Sequence, residues 1–232
     1  LLQLFRRKGG DAVEIFTNRY QAGKMLARKL TKYANKADVL ILALPRGGVP
    51  VAYEVAKALR VALDIFIVRK LGVPFHKELA MGAISLRGAT LLNNEIISSL
   101  NISQEAIQAV ICEEEAELNR RNQLYRQSQE FGSIEGKTII LIDDGLATGS
   151  TISVAILALR KLNPAKIIVA VPVGSVENCN ALKQQVDEVI CLTTPEVFYA
   201  VGQAYIDFSQ TSDEEVLSLL KEYKLHLEPR RV

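Results

Sequence analysis

The sequence is poor in the residues that build metal centres, disulfide frameworks and membrane spans. It has two histidines, His76 and His226, so a histidine-rich metal site is excluded. Its three cysteines, Cys112, Cys179 and Cys191, are odd in number and have no metal-ligand spacing. They read as free thiols in a reducing compartment. No apolar run approaches the ~18 residues of a membrane-spanning helix. The formal net charge of +2 gives no general basic surface for nucleic acid. A short basic tail, Pro229-Arg230-Arg231, reads as solvated. At the other end, Leu1 to Lys8 places its charges after its apolar residues, the reverse of a signal peptide. A soluble cytoplasmic protein is the expectation. Several motifs are missing too. There is no G-x-G-x-x-G and no G-x-S-x-G, and Gly149 is followed by Ser150 where a Walker loop needs lysine.

What remains is a chain of 232 residues, long enough for one large core, without internal repeats, low-complexity segments or a linker. The expectation is a single domain over 1–232, with a core about 18–192 and tail or hood elements about 193–232. Its most informative stretch is Ile139 to Thr151, I-I-L-I-D-D-G-L-A-T-G-S-T. A short aliphatic run bounded by turn residues suits a strand buried on both faces. Two carboxylates follow, Asp143 and Asp144, and then a cluster of Gly145, Thr148, Gly149, Ser150 and Thr151 that leads into an apolar-periodic helix, Ile152 to Leu162. Ligands of open α/β sheets bind at such strand ends. Backbone N–H groups at a helix start suit a phosphate. Two adjacent carboxylates repel phosphate, but they accept hydrogen bonds from hydroxyls or sit near a hydrated Mg²⁺. One loop therefore offers an acidic end and a phosphate end, the polarity of a sugar phosphate. For either half alone, a solvated loop or a simple helix cap is an equally good reading.

The segment resembles the 5-phosphoribosyl-1-pyrophosphate (PRPP) signature of type I phosphoribosyltransferases. The whole chain is most similar to that family's branch of predicted phosphoribosyltransferases rather than to a salvage enzyme. The resemblance implies that Asp143 and Asp144 contact the ribose 2- and 3-hydroxyls. It implies that Gly145 and Ala147 to Thr151 (Ala147, Thr148, Gly149, Ser150, Thr151) surround the 5-phosphate. No residue is expected to ligate metal directly; Mg²⁺ is carried by PRPP, with water bridging it to the acid pair. The implied fold is α/β, a central mostly parallel sheet flanked by helices, with a small C-terminal hood. A homodimer is the implied assembly.

Other segments fit the same alternation. Asn18 is expected to cap a helix from Arg19 to about Tyr33, and Val39 to Leu44 is a buried strand. The loop Pro45-Arg46-Gly47-Gly48-Val49-Pro50 opens a helix with an apolar face at Val51, Ala52, Val55, Ala56 and Leu59. Arg46 supplies a planar donor fork, and the glycines allow close approach or positive φ. By resemblance, Arg46, Gly47 and Gly48 bind the pyrophosphate. Val61 to Val68 reads as a strand ending in Arg69 and Lys70, where the family's flexible loop starts, and Gly72 and Pro74 mark that loop. His76 reads as an exposed loop residue. Ala80 to Leu86 and Thr90 to Leu92 read as short strands, paired through Arg87-Gly88. Ser103 is expected to cap a long helix to about Gln129, whose charge run Glu113-Glu114-Glu115 is a solvated or subunit-contacting face. Phe131 to Gly136 is a turn. Asn163-Pro164 stops the helix after the signature. Lys166 to Val173, Val176 to Val186 and Glu188 to Leu192 are strand, helix and strand. Pro195 to Phe208 is a candidate acceptor wall, although its aromatics read first as core anchors. Ser212-Asp213-Glu214-Glu215 is a capping box for a last helix.

The implied chemistry is transfer of the 5-phosphoribosyl group to a nitrogen acceptor, a nucleobase or related compound, with release of pyrophosphate. Hypoxanthine-type members carry aspartate immediately before the Thr-Gly pair, and this chain has Ala147 there. Adenine-type members carry alanine, but the rest of the chain does not resemble them. A second reading is a PRPP-sensing regulator that binds nucleic acid or a protein partner; the near-neutral charge ranks it lower.

Overall fold

A computed structural model describes residues 15–86, 90–126 and 132–227. The turn at Arg87-Gly88, the end of the charged helix near Gln129, Phe131 and both chain ends lie outside the described residues. In chain order the elements are α1 (Arg19–Lys29), β1 (Val39–Ala43), α2 (Gly48–Leu59), β2 (Ala62–Ile65), β3 (Val68–Val73), β4 (His76–Ser85), β5 (Thr90–Leu92), α3 (Asn94–Ser99), α4 (Gln104–Arg126), β6 (Thr138–Ile142), α5 (Ser150–Arg160), β7 (Lys166–Val173), α6 (Val176–Leu182), β8 (Glu188–Thr193) and α7 (Asp213–Leu227). They fall into two compact units.

The first unit comprises residues 1–65, 136–149 and 165–232. Its centre is a five-stranded sheet in the order β2-β1-β6-β7-β8, and every neighbouring pair is parallel. The aliphatic runs explain this. All five residues of β1 and of β6 are buried, as a strand covered on both faces requires. The expected cap at Asn18 is present, its side chain accepting from Gln21 N–H at 3.0 Å. Ala22, Leu26 and Leu30 are buried. The helix stops at Lys29, and a 3₁₀ turn over Thr31–Tyr33 replaces its expected last turn. Helix α2 buries its whole predicted face and also Val49, Pro50 and Tyr53, because α1 and α7 pack against it. Helix α7 starts as its capping sequence requires, with Ser212 Oγ accepting from Glu215 N–H at 3.2 Å. It buries Val216, Leu219, Leu220 and Tyr223.

The second unit, residues 66–135 and 150–164, holds the antiparallel sheet β3-β4-β5 with α3, α4 and α5. Here the strand expected over Val61 to Val68 is corrected. The parallel strand ends at Ile65, and Val68 begins β3, which pairs antiparallel with β4. Arg69 and Lys70 therefore lie inside a hairpin strand rather than at a parallel strand's carboxyl end. Gly72 also belongs to β3, and the expected loop shrinks to a tight connection at Pro74-Phe75. A Cβ on Gly72 would lie 2.7 Å from the Lys77 carbonyl oxygen, so the irregular register there needs glycine. His76 Nδ1 accepts from Leu79 N–H at 3.3 Å, a local turn contact. Helix α3 was not expected, although Asn93 caps it through Glu95 and Ile96 N–H groups.

Candidate active site

The sheet order places a crevice by topology alone. The chain runs from β1 outward to β2, then returns to the other side of β1 to form β6. Ligands of open parallel sheets bind outside the carboxyl ends of the strands at such a reversal. Two loops leave those ends side by side, one after Ala43 and one after Ile142. They are the Arg46 loop and the acid-pair loop.

The two loops touch. A Cβ added to Gly47 would lie 2.0 Å from Asp144 Oδ2, and one on Gly48 would lie 2.7 Å from the Ile142 carbonyl oxygen. Gly47 has φ −59°, so glycine is required here for close approach and not for a left-handed backbone. The Gly48 and Val49 N–H groups are spent on the Leu44 and Arg46 carbonyls at 3.1 Å each. The Arg46 guanidinium is the charged donor that this loop presents. It lies 3.6 Å from Asp213 Oδ1 in a pair about a third exposed, which contributes little to stability.

The acid pair is asymmetric. Asp143 Oδ1 accepts the Asp144 N–H at 2.9 Å. Burial, and then the neighbouring Asp144 charge, push the Asp143 carboxyl well above its usual range. Burial also raises Asp144, but Arg19 opposes the rise. Arg19 donates from Nε to Asp144 Oδ2 at 2.9 Å, and its second nitrogen stands 2.8 Å from the same oxygen. Tyr205 OH donates to the Asp144 carbonyl oxygen at 2.6 Å.

Beyond the acids, the loop is held by its carbonyls. Leu146 N–H donates to the Val173 carbonyl, Ser175 N–H donates to Leu146, and the Asn178 side-chain amide donates to Ala147. In a planar trans peptide the N–H points opposite to the C=O. Anchoring the Asp144, Leu146 and Ala147 carbonyls therefore turns the Gly145, Ala147 and Thr148 N–H groups to the opposite side. Gly149 then adopts φ +72°, and Ser150 opens α5. A Cβ on Gly145 would meet Val201 at 2.4 Å. Loop N–H groups turned away from their anchored carbonyls in this way suit an anion.

The carboxylates fit a metal only in a limited way. Among the described residues no group of three or more His, Cys, Asp or Glu could hold a metal ion. One of the two aspartates is already engaged by Arg19. That donor set suits a hydrated Mg²⁺ whose remaining ligands come from a substrate phosphate.

Arg19 is the site residue that the sequence reading missed, along with Asn178 and the Tyr205 contact. The candidate acceptor wall is largely absorbed into packing. Tyr205 is buried, Phe198, Val201 and Phe208 pack against the same cluster, and Tyr199 is 83% exposed. Arg69 pairs with Glu114 at 2.6 Å in the second unit, so part of the charge run on α4 has a specific partner there.

The chain spans about half the length of the curated relatives it matches. One is a Mycobacterium tuberculosis protein whose name, phosphoribosyl transferase, is provisional. It is 42% identical over 208 residues, which is 90% of this chain and 47% of the relative. The crystal structure of TT1426 from Thermus thermophilus is 35% identical and superposes with a TM-score of 0.81, covering 90% of this chain and 99% of that one. The family model for the phosphoribosyl transferase domain matches residues 85–209, more than half of the chain and including the whole acid-pair loop. The chain belongs to the phosphoribosyl transferase domain family.

Proposed function

We propose that the chain binds PRPP with Mg²⁺ and transfers its 5-phosphoribosyl group to a nitrogen acceptor, a nucleobase or related compound, releasing pyrophosphate. The observation that carries this is the meeting of the acid pair with the Arg46 loop at the sheet's reversal point. A hydroxyl-accepting group, an anion-binding loop and a cation come together there on two adjacent strands.

Asp143 and Asp144 accept the ribose hydroxyls and orient C1. Gly145, Ala147, Thr148 and Gly149 offer backbone to the 5-phosphate, with Ser150 and Thr151 at the start of α5 adding hydroxyls. Arg46, backed by Gly47 and Gly48, takes the pyrophosphate. The C1–O bond to pyrophosphate breaks as the bond from acceptor nitrogen to C1 forms. Positive charge then develops on the sugar and negative charge on the leaving group. The acid pair favours the first, and Arg46 stabilises the second. Mg²⁺, when bound with the diphosphate, supplies further charge neutralisation to the leaving group. Arg69 and Lys70 are assigned, by the resemblance alone, to the start of the family's flexible loop. The two compact units are read as one catalytic domain, acting as a cytoplasmic homodimer.

The test is incubation with PRPP, Mg²⁺ and a pool of nucleobases and other nitrogen acceptors, followed by mass spectrometry and a pyrophosphate assay. A base-dependent ribonucleotide with stoichiometric pyrophosphate is the expected result. Binding of PRPP without its consumption would favour a sensor, and absence of PRPP binding would end the reading.

A further inference from the structure

Arg19 sits in the first turn of α1, 125 residues from Asp144 in sequence, yet it is 9% exposed. A buried arginine needs its donors satisfied, and here they are. Two nitrogens serve Asp144 Oδ2, and the third donates to the Ser209 carbonyl at 2.7 Å. The guanidinium carbon lies 4.0 Å from the Phe208 ring centroid and 5.9 Å from that of Tyr205. Tyr205 and Phe208 stack on each other at 5.1 Å, and Phe16 flanks Tyr205 at 5.5 Å. The cation therefore has one rotamer, fixed by packing and by a backbone acceptor that belongs to neither loop.

Its target is equally constrained. Asp144 is held by its side chain through Arg19, by its carbonyl through Tyr205, and by its N–H through Asp143. The Cβ position that Gly47 leaves empty is 2.0 Å from Asp144 Oδ2 and 3.3 Å from Arg19 Nε. The glycine, the carboxylate and the guanidinium thus converge on one point. The acid pair also poses an electrostatic problem for the function proposed above. Two adjacent carboxylates repel a substrate that carries a phosphate and a diphosphate, and the repulsion is strong where water is scarce.

We propose that Arg19 is a positioning residue for the ribose-binding acid pair: it fixes the Asp144 carboxylate and cancels one of the two adjacent charges, so the pair accepts sugar hydroxyls without expelling the anionic substrate. Arg19 acts through Asp144 and does not touch the diphosphate, which belongs to the Arg46 loop. The inference rests on the PRPP reading.

Calorimetric titration of the full chain with three probes separates the possibilities: PRPP with Mg²⁺, ribose 5-phosphate, and inorganic pyrophosphate with Mg²⁺. Arg19→Gln should weaken PRPP and ribose 5-phosphate by on the order of 10- to 100-fold, the range for a charge-assisted contact. It should weaken pyrophosphate less than either ribose ligand, because only the uncancelled charge, and not the lost positioning of Asp144, reaches the Arg46 loop. Arg19→Lys, which keeps the charge but loses the two-point contact, should fall between the two. In an Asp144→Asn background Arg19→Gln should add little further loss, because its partner's charge is already gone. Two results overturn the proposal while leaving the PRPP reading intact. One is a wild-type chain that binds PRPP together with an Arg19→Gln variant that binds it equally well. The other is an equal loss for all three probes, which would make Arg19 a structural residue. A wild-type chain that binds neither PRPP nor ribose 5-phosphate overturns the reading and the proposal together.

Discussion

Asp143 and Asp144 are neighbours in sequence but are predicted to respond in opposite ways to the same substitution. Burial raises the Asp143 carboxyl well above its ordinary value, so the folded state holds that proton more tightly than the unfolded chain does. Stability from such a group is full below the unfolded pKa and declines as pH rises from there toward the folded value. Asp143→Asn removes a buried charge that disfavours folding at neutral pH. Its melting temperature should exceed wild type at pH 7, and the gain should vanish in acid. Asp144→Asn leaves Arg19 buried without its counter-charge, so its melting temperature should fall instead. Calorimetric scans at pH 4 and pH 7 decide both; a fall for Asp143→Asn at neutral pH would contradict the burial argument. Gly47→Ala belongs to the same scale. The new methyl meets Asp144 Oδ2, and Asp144 cannot retreat without breaking its contact with Arg19. Loss of PRPP affinity on the order of tenfold or more is expected by equilibrium titration. The acids were legible because their chemistry lies in one continuous stretch. Arg19 was not, since a lone arginine after a capping asparagine looks like any exposed helical cation until its partner arrives from β6.

The elements that carry the site were legible where local sequence and burial agree. β7 runs over Lys166–Val173 as its aliphatic pattern requires, and α7 begins where Ser212 and Glu215 say it should. The β3–β4 hairpin was misread because Val61 to Val68, apolar except for Asp64, passes through two differently paired strands. Periodicity does not record the change of partner at Phe66-Ile67. α7 offers a test of how far an element supports a site without forming it. Its cap orients the helix start where Asp213 meets Arg46, and Tyr223 OH, further along, donates to the Ala56 and Val61 carbonyls beneath α2. Ser212→Ala should cost about 1 kcal/mol of stability, the ordinary value of an N-cap. PRPP affinity should stay within about twofold, because in the proposed reading Arg46 leaves Asp213 for the ligand. Denaturant unfolding beside a binding titration measures both, and a large affinity loss at small stability cost would show that α7 shapes the Arg46 loop directly.

At the scale of the molecule, the sequence announces a parallel sheet but not its order. The aliphatic runs of β1, β6 and β7 declare burial on both faces, but none declares its neighbour. The order β2-β1-β6-β7-β8 comes from long-range pairing, and that order brings the Arg46 loop beside the acid pair. If the reversal point divides one ligand between two loops, the two halves of PRPP should stabilise the fold independently. A ligand at about 100 times its dissociation constant adds roughly 2.7 kcal/mol to the state that binds it. In thermal melts, wild type should therefore rise with PRPP, with pyrophosphate and with ribose 5-phosphate, each in the presence of Mg²⁺. Arg46→Ala should lose the pyrophosphate shift and keep the ribose 5-phosphate shift. The double variant Asp143→Asn with Asp144→Asn should do the reverse, and both should lose most of the PRPP shift. Equal loss of all three shifts in either variant would mean that the two loops bind as one unit, and that their separation along the sheet carries no division of labour.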